Sequence, residues 1–424
     1  IGKLEPGSGI GDLAHQTAEL LLVQGSSMGA QHAALIERWG RAPAILTRPD
    51  PRPRALFIDE GIPDPSRDAG SNAALSHMRA LQGLGFRVDF VPAYSLEHAG
   101  PRTAALQALG ITCWHAPWIG SVEEVLRRAG PGLDLAYLHR FGIVQRYAAL
   151  VRRWCPQARL LYCVADLHYL RAARRTAVEA GLPAETAKLT PNCVGLRTAE
   201  LLAVLGADAV ITHSSFEADL LRRDVPAANV HLIPWGVPAN PTDVRFADRR
   251  GVAFVGSYGH PPNLDAAHYL VETIMPLVWA QDATIDCVLA GSDLPASLRA
   301  AAARAPAGRV EVLGHVPTLR GLWDRVRLTA ATLRYGAGLK GKVLDSLGGG
   351  IPCVCSPMAA EGMDLPPELS TLVADAPEAL AATILRLHND EAENTRLAAA
   401  AVAWVGTALA AERIAAAMRA AATP

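Results

Sequence analysis

At 424 residues, half of them hydrophobic, the chain is long enough for two domains with separate cores and too apolar to be disordered over most of its length. Its 40 basic and 41 acidic side chains leave a formal net charge of −1. That balance excludes a global pull toward nucleic acid and lets a membrane be met only through a local patch. No run of about 18 uncharged apolar residues occurs, so no spanning helix is expected.

The opening Ile1-Gly2-Lys3 has neither a Met nor a signal-peptide pattern, which reads as a fragment boundary. Seven cysteines, an odd number without framework spacing, point to reduced thiols and a cytoplasmic setting. Cys353 and Cys355 form only a C-x-C within an apolar run, where alternation on a buried strand explains them better than a metal does.

Residues 1–53 read as one or two helices and a linker, because helical apolar spacing from His15 to Trp39 is followed by Pro43, Pro49, Pro51 and Pro53. From residue 54 the pattern becomes strand, loop, helix. Strands are expected at 54–59, 86–91, 133–138, 159–164 and 209–212, with a helix from about Ser71 to Leu84. The stretch 238–250, bearing Pro, Asp and Arg and few large apolar residues, reads as an interdomain linker. A second series follows at 251–256, 285–291, 310–314, 328–333 and 352–355, and the Ala-rich tail 398–421 reads as helical. Short apolar runs alternating with helices imply parallel sheets. The expected fold class is α/β, with two Rossmann-like doubly wound domains facing across a cleft and a helical N-terminal extension. The domains expected are 1–53, 54–238 and 251–404, with 405–424 a last helix that can cross back to the first domain.

The segment Arg334-Tyr335-Gly336-Ala337-Gly338-Leu339-Lys340-Gly341-Lys342-Val343-Leu344-Asp345 carries the most chemistry. A glycine-rich turn runs from a strand into a helix, with two lysines at its mouth. Free N–H groups and the positive dipole end suit phosphate, and Lys340 and Lys342 add mobile charge. Physics alone leaves an ordinary turn with surface lysines as an equal reading.

Several segments in order resolve that balance. Phe254-Val255-Gly256-Ser257-Tyr258-Gly259-His260-Pro261-Pro262-Asn263, Leu289-Ala290-Gly291-Ser292, Val312-Leu313-Gly314-His315-Val316 and the run from Gly338 to Pro352 resemble the donor domain of the GT-B glycosyltransferases, glycosyltransferase family 4 in particular. The resemblance implies donor contacts at Gly256, Ser257, Gly338, Lys340, Lys342 and Asp345. Asp345 would bind ribose hydroxyls, and the lysines would neutralise the departing diphosphate. It also implies retention of anomeric configuration. The sequence departs from the family at Ala337, where the first acid of a pair spaced by seven residues is expected; Asp345 keeps the second.

The first half is similar to the family's acceptor domain with weaker motifs. Arg67, Asp68, Gly70 and Ser71 follow the first strand, and the resemblance implies acceptor contact there; helix capping by Ser71 is an equally compatible reading. Asp166, His168 and Arg171 follow another strand end, either as a structural pair or as groups that bind acceptor hydroxyls and position a proton shuttle. Asp166, His168 and Lys342 are the expected catalytic residues. His139-Arg140 also follows a strand, and Ser214 or Ser215 is expected to cap a helix at Thr212-His213-Ser214-Ser215-Phe216-Glu217. Arginines at 152, 153, 171, 174, 175, 222 and 223 suit either peripheral membrane contact with a lipid-linked acceptor or solvated helix faces.

The expectation is a transferase moving sugar from a nucleoside-diphosphate sugar to a glycan, lipid-linked or protein acceptor, with no cofactor and no metal ligands. A scaffold subunit that binds without turnover, kept open by Ala337, and an epimerase or phosphorylase on the same fold are the rivals. A dinucleotide dehydrogenase is disfavoured because no G-x-G-x-x-G follows either first strand.

Overall fold

The computed structural model describes residues 51–423, so the helical extension expected over most of 1–53 lies outside the described residues. Among the described residues, twelve strands form two all-parallel sheets. The first holds β1 (Arg54–Asp59), β2 (Arg87–Pro92), β3 (Thr112–Cys113), β4 (Leu135–His139), β5 (Arg159–Cys163), β6 (Ala209–Thr212) and β7 (Val230–Leu232), in the order β3-β2-β1-β4-β5-β6-β7. The second holds β8 (Val252–Val255), β9 (Cys287–Ala290), β10 (Val310–Gly314), β11 (Leu328–Ala331) and β12 (Cys353–Cys355), in the order β10-β9-β8-β11-β12. Both orders reverse beside their first strand, so both domains are doubly wound. Ligands in such sheets bind at the carboxyl ends of the strands at that reversal. Those ends are β1 and β4 in the first domain, β8 and β11 in the second.

Strand periodicity explains why the first sheet is covered on both faces. In β1, Ala55 and Phe57 enter one core layer while Leu56 and Ile58 enter the opposite one. In β5, Leu161 and Cys163 share the first layer, and Leu160 and Tyr162 the second. The layer with Phe57 is closed by the helix Ala69–Gly83 and by the last helix, Ala411–Ala422, through Ile414, Met418 and Ala421. The preceding helix, Glu391–Ala408, instead buries Leu397, Ala401 and Val405 in the second domain's core. The tail is therefore two helices, broken at Leu409-Ala410, each on a different domain. By length and composition alone, Glu391–Ala422 is apolar enough to cross a membrane, a candidate that a search for unbroken uncharged runs misses because Glu and Arg interrupt its alanines.

Candidate functional site

The glycine-rich turn after β11 is pressed against the first domain. Gly338 sits at φ +65°, and a Cβ there would lie 2.8 Å from the Ala165 carbonyl oxygen and from the Asp166 Cβ. Its N–H donates to Glu217 Oε1 at 2.8 Å. The helix Gly341–Gly348 begins three residues on, where a Cβ on Gly341 would come within 2.5 Å of the Ala69 Cβ. Glycine is required at both positions for the two domains to meet.

The two lysines occupy different environments. Lys340 is buried, donates to the Gly338 carbonyl, and is pushed down to about 8 by burial against the pull of Glu361 and Glu217. Lys342 donates to Asn263 Oδ1, with its ammonium 4.7 Å from the Phe254 ring centroid and beside Gly256. Burial pushes it down to about 7. Asn263 in turn donates to the Ser257 carbonyl at 2.8 Å, which ties the β8 loop to the turn. Asp345, one helical turn on, is lifted to about 7 by burial. Two ammonium groups and a carboxyl group held close to neutrality make a cluster that gains from an incoming anion.

Across the contact, Ala165 adopts φ +58° and aims Asp166 at the turn. Burial raises the Asp166 carboxyl, but His168 Nε2 at 3.4 Å and the Arg171 guanidinium outweigh it and hold it at about 2. So low a value makes Asp166 a poor proton acceptor at neutral pH; its carboxylate orients His168 and Arg171. His168 is raised by its bond to Asp166, and it opens the helix His168–Glu179, whose first N–H groups donate to Glu200 at 2.8 and 2.9 Å. The same helix sends Arg174 across the cleft to the Gly336 carbonyl at 2.9 Å and, through both terminal nitrogens, to Glu361 at 2.8 and 2.7 Å.

On the other rim, the helix Ala69–Gly83 is capped by Asp68, which accepts the Ser71 N–H at 2.8 Å. Capping by Ser71 is thereby corrected. Its hydroxyl donates to Asp68 Oδ2 and accepts the Asp64 N–H, so both of its roles are used inside the loop. A carboxylate wins the cap because it can accept from the N–H and the hydroxyl together. Arg140 lies over Gly70 and bonds Asp59 at 3.0 Å, with Asp68 3.6 Å away. Arg67 is exposed and its charge reaches Asp293 of the second domain, whose carboxylate accepts from Ser257 Oγ at 3.0 Å. Donor-side Gly256, Ser257, Gly338, Lys340, Lys342 and Asp345 thus share one cleft wall. Asp166, His168 and Arg171 stand opposite, and Arg67, Asp68 and Gly70 form its rim.

Sequence reasoning missed Glu217, Arg174 and Glu361 as parts of this arrangement. Ser214 does cap the helix Ser215–Asp224, but Glu217 does not turn back to complete a capping box. Its carboxylate takes the Leu167 N–H at 3.1 Å as well as that of Gly338, and burial raises it to about 7. A Glu three residues after a cap signals only local structure, and nothing in the sequence says that it spans two domains.

Residues 249–390 match the family model described as glycosyl transferases group 1, which marks the second domain as that of a glycosyltransferase. No curated protein matches the sequence. Among solved structures, TarM of S. aureus, in complex with fondaparinux, alpha-GlcNAc-glycerol and UDP, superposes with a TM-score of 0.67 at 9% identity. That match covers 88% of this chain and 100% of TarM. Anabaena HepE in complex with UDP-glucose gives 0.64 at 17% identity, covering 87% and 98%. A UDP-forming trehalose-phosphate synthase from Burkholderia xenovorans gives 0.61 at 11%, covering 88% and 100%. At these identities the likeness establishes the two-domain GT-B fold.

Proposed function

We propose that this chain transfers a sugar from a UDP-sugar to a hydroxyl of a glycan, lipid-linked or protein acceptor, with retention at the anomeric carbon and without a catalytic metal. The observation that carries the reading is the glycine-rich turn of Gly336 to Lys342, closed on the first domain with two lysines held near neutrality at a helix N-terminus. UDP or UDP-glucose bound in TarM and HepE supports the choice of nucleotide.

In this account the diphosphate lies along the N–H groups that open the helix Gly341–Gly348, and Lys342 and Lys340 take up protons as its charge arrives. Breaking the anomeric C–O bond moves negative charge onto the diphosphate, and ammonium groups already in place lower that barrier. Asp345 accepts from the ribose hydroxyls. Arg171, oriented by Asp166, holds the acceptor hydroxyl, and His168 receives its proton. Retention rests on the family resemblance alone.

Ala337 favours a second reading, a subunit that binds nucleotide sugar without turnover. Incubation with a panel of nucleotide sugars and candidate acceptors, with and without added Mg²⁺, separates the two. Metal-insensitive release of UDP from a UDP-sugar supports transfer; tight binding with no nucleotide released across the panel supports the scaffold.

A further inference from the structure

Beneath the cleft floor of the first domain, His139, Cys163 and His213 converge in full burial, with one ligand atom of each lying within 4.8 Å of the others. Their placement follows from the sheet. Leu135, Tyr137 and His139 share a face of β4, Leu161 and Cys163 share that face of β5, and Ala209, Ile211 and His213 continue it on and beyond β6. His139 pairs directly with Cys163 in the parallel register, and Cys163 with Ile211. Three carboxyl ends therefore deliver one imidazole, one thiol and a second imidazole to a single point.

Both imidazoles are anchored through the nitrogen that faces away from that point. His139 Nδ1 donates to Asp59 Oδ2 at 2.9 Å, and His213 Nδ1 donates to the Ile233 carbonyl at 2.8 Å. Each anchoring bond keeps a proton on Nδ1 and turns Nε2 inward, where an arriving metal ion displaces any proton that Nε2 carries. The His139 Nε2 is buried and has no hydrogen-bond partner. An unpartnered buried polar atom costs about 1–3 kcal/mol, so a group that engages it stabilises the fold. His213 Nε2 lies 3.5 Å from the Cys163 sulfur. Tetrahedral zinc, with bonds of about 2.3 Å to sulfur and about 2.0 Å to nitrogen, puts those atoms about 3.5 Å apart. Trp235 packs edge-on against His213, and His77, bonded to Tyr137, closes the remaining side.

We propose that His139 Nε2, Cys163 Sγ and His213 Nε2 bind one zinc ion, with Asp59 and the Ile233 carbonyl as the outer groups that orient the imidazoles. A thiolate with two imidazoles is a borderline-soft donor set suited to zinc. The ion pins β4, β5 and β6 together at their cleft ends. It also couples to the acceptor rim, because Asp59 holds His139 through one oxygen and Arg140 through the other. This site stands independently of the transfer chemistry, since none of its three ligands lines the donor turn.

The test uses the full chain, stripped with a chelator and then titrated with Zn²⁺ and, separately, with Co²⁺. The expected result is one zinc per chain by elemental analysis, a raised Tm, and a near-ultraviolet thiolate-to-cobalt charge-transfer band. Cys163→Ser should remove that band while keeping the far-ultraviolet circular dichroism of the fold. Asp59→Asn should weaken zinc binding by about 10–100-fold. If His139→Ala does not fold, the nearly isosteric serine variant still decides the matter. Folded wild-type protein that takes up no stoichiometric zinc overturns the proposal, leaving a hydrogen-bonded buried network. Bound metal with no charge-transfer band overturns it as well, because Cys163 would not be a ligand.

Discussion

The depressed lysines make nucleotide affinity fall steeply with rising pH. With Lys342 near 7 and Lys340 near 8 in the free protein, both must gain protons before they can neutralise a diphosphate. From pH 7 to pH 9 the protonated fraction of Lys342 drops from about a half to about a hundredth, a penalty of about 50-fold. The matching drop for Lys340 is about tenfold. If both lysines are charged in the complex, the UDP Kd rises by up to about 500-fold, or about 3.7 kcal/mol. At pH 8 binding should take up about 1.4 protons, a quantity read by titration calorimetry in two buffers of different ionisation enthalpy. Lys342→Met should remove its factor and leave about tenfold. A wild-type ratio below about twofold, or a Met variant that keeps the full ratio, refutes the assignment of these lysines to the diphosphate.

Closure should fail when side chains are added at the glycine contacts. Gly341→Val is expected to leave Tm within a few degrees while lowering kcat/KM by more than about 100-fold, because the first domain's Ala69 occupies that space. Arg174→Ala leaves Glu361 and the Gly336 carbonyl without their partner, and should cost about 3 kcal/mol in denaturant unfolding. Asp68→Ala removes the cap of the helix Ala69–Gly83 and should cost about 1 kcal/mol in the same assay. Stability should also depend on pH in a defined way. Glu217 and Asp345, raised to about 7, contribute stability at acid pH that is lost as pH climbs through 7, whereas Lys342, lowered to about 7, contributes stability that returns as pH rises from 7 toward its unfolded value. A minimum in ligand-free stability near pH 7 is expected, with its acid arm flattened by Glu217→Gln and its alkaline arm by Lys342→Met.

Long apolar strands made the fold legible from the residues. The runs at 54–59, 209–212 and 310–314 coincide with β1, β6 and β10 because each is a short apolar run bounded by turn residues; β1 and β6 lie buried within their sheet, whereas β10 is a half-buried edge strand. Thr112–Cys113 and Val230–Leu232 escaped notice because two or three residues carry no periodicity. The start of the last helix was expected at 405 and stands at Ala411, because alanine favours helix on either side and no Gly or Pro stands at the Leu409-Ala410 break itself. At the site, Lys340, Lys342 and Asp345 were legible because one turn holds all three. Glu217 and the cluster of His139, Cys163 and His213 were not, since residues dozens of positions apart meet only once sheet register and domain closure bring them together.

Transfer chemistry at the turn from Gly336 to Lys342 is read most directly by following a UDP-hexose by NMR in the presence of the wild-type chain. UDP should accumulate in equal amount with a hexose released or transferred, the first product should keep the donor's anomeric configuration, and Lys342→Ala should slow this by more than about 100-fold. Bound nucleotide with no UDP formed, a hexose epimerised while still attached, or a Lys342→Ala variant working at the native rate would contradict it.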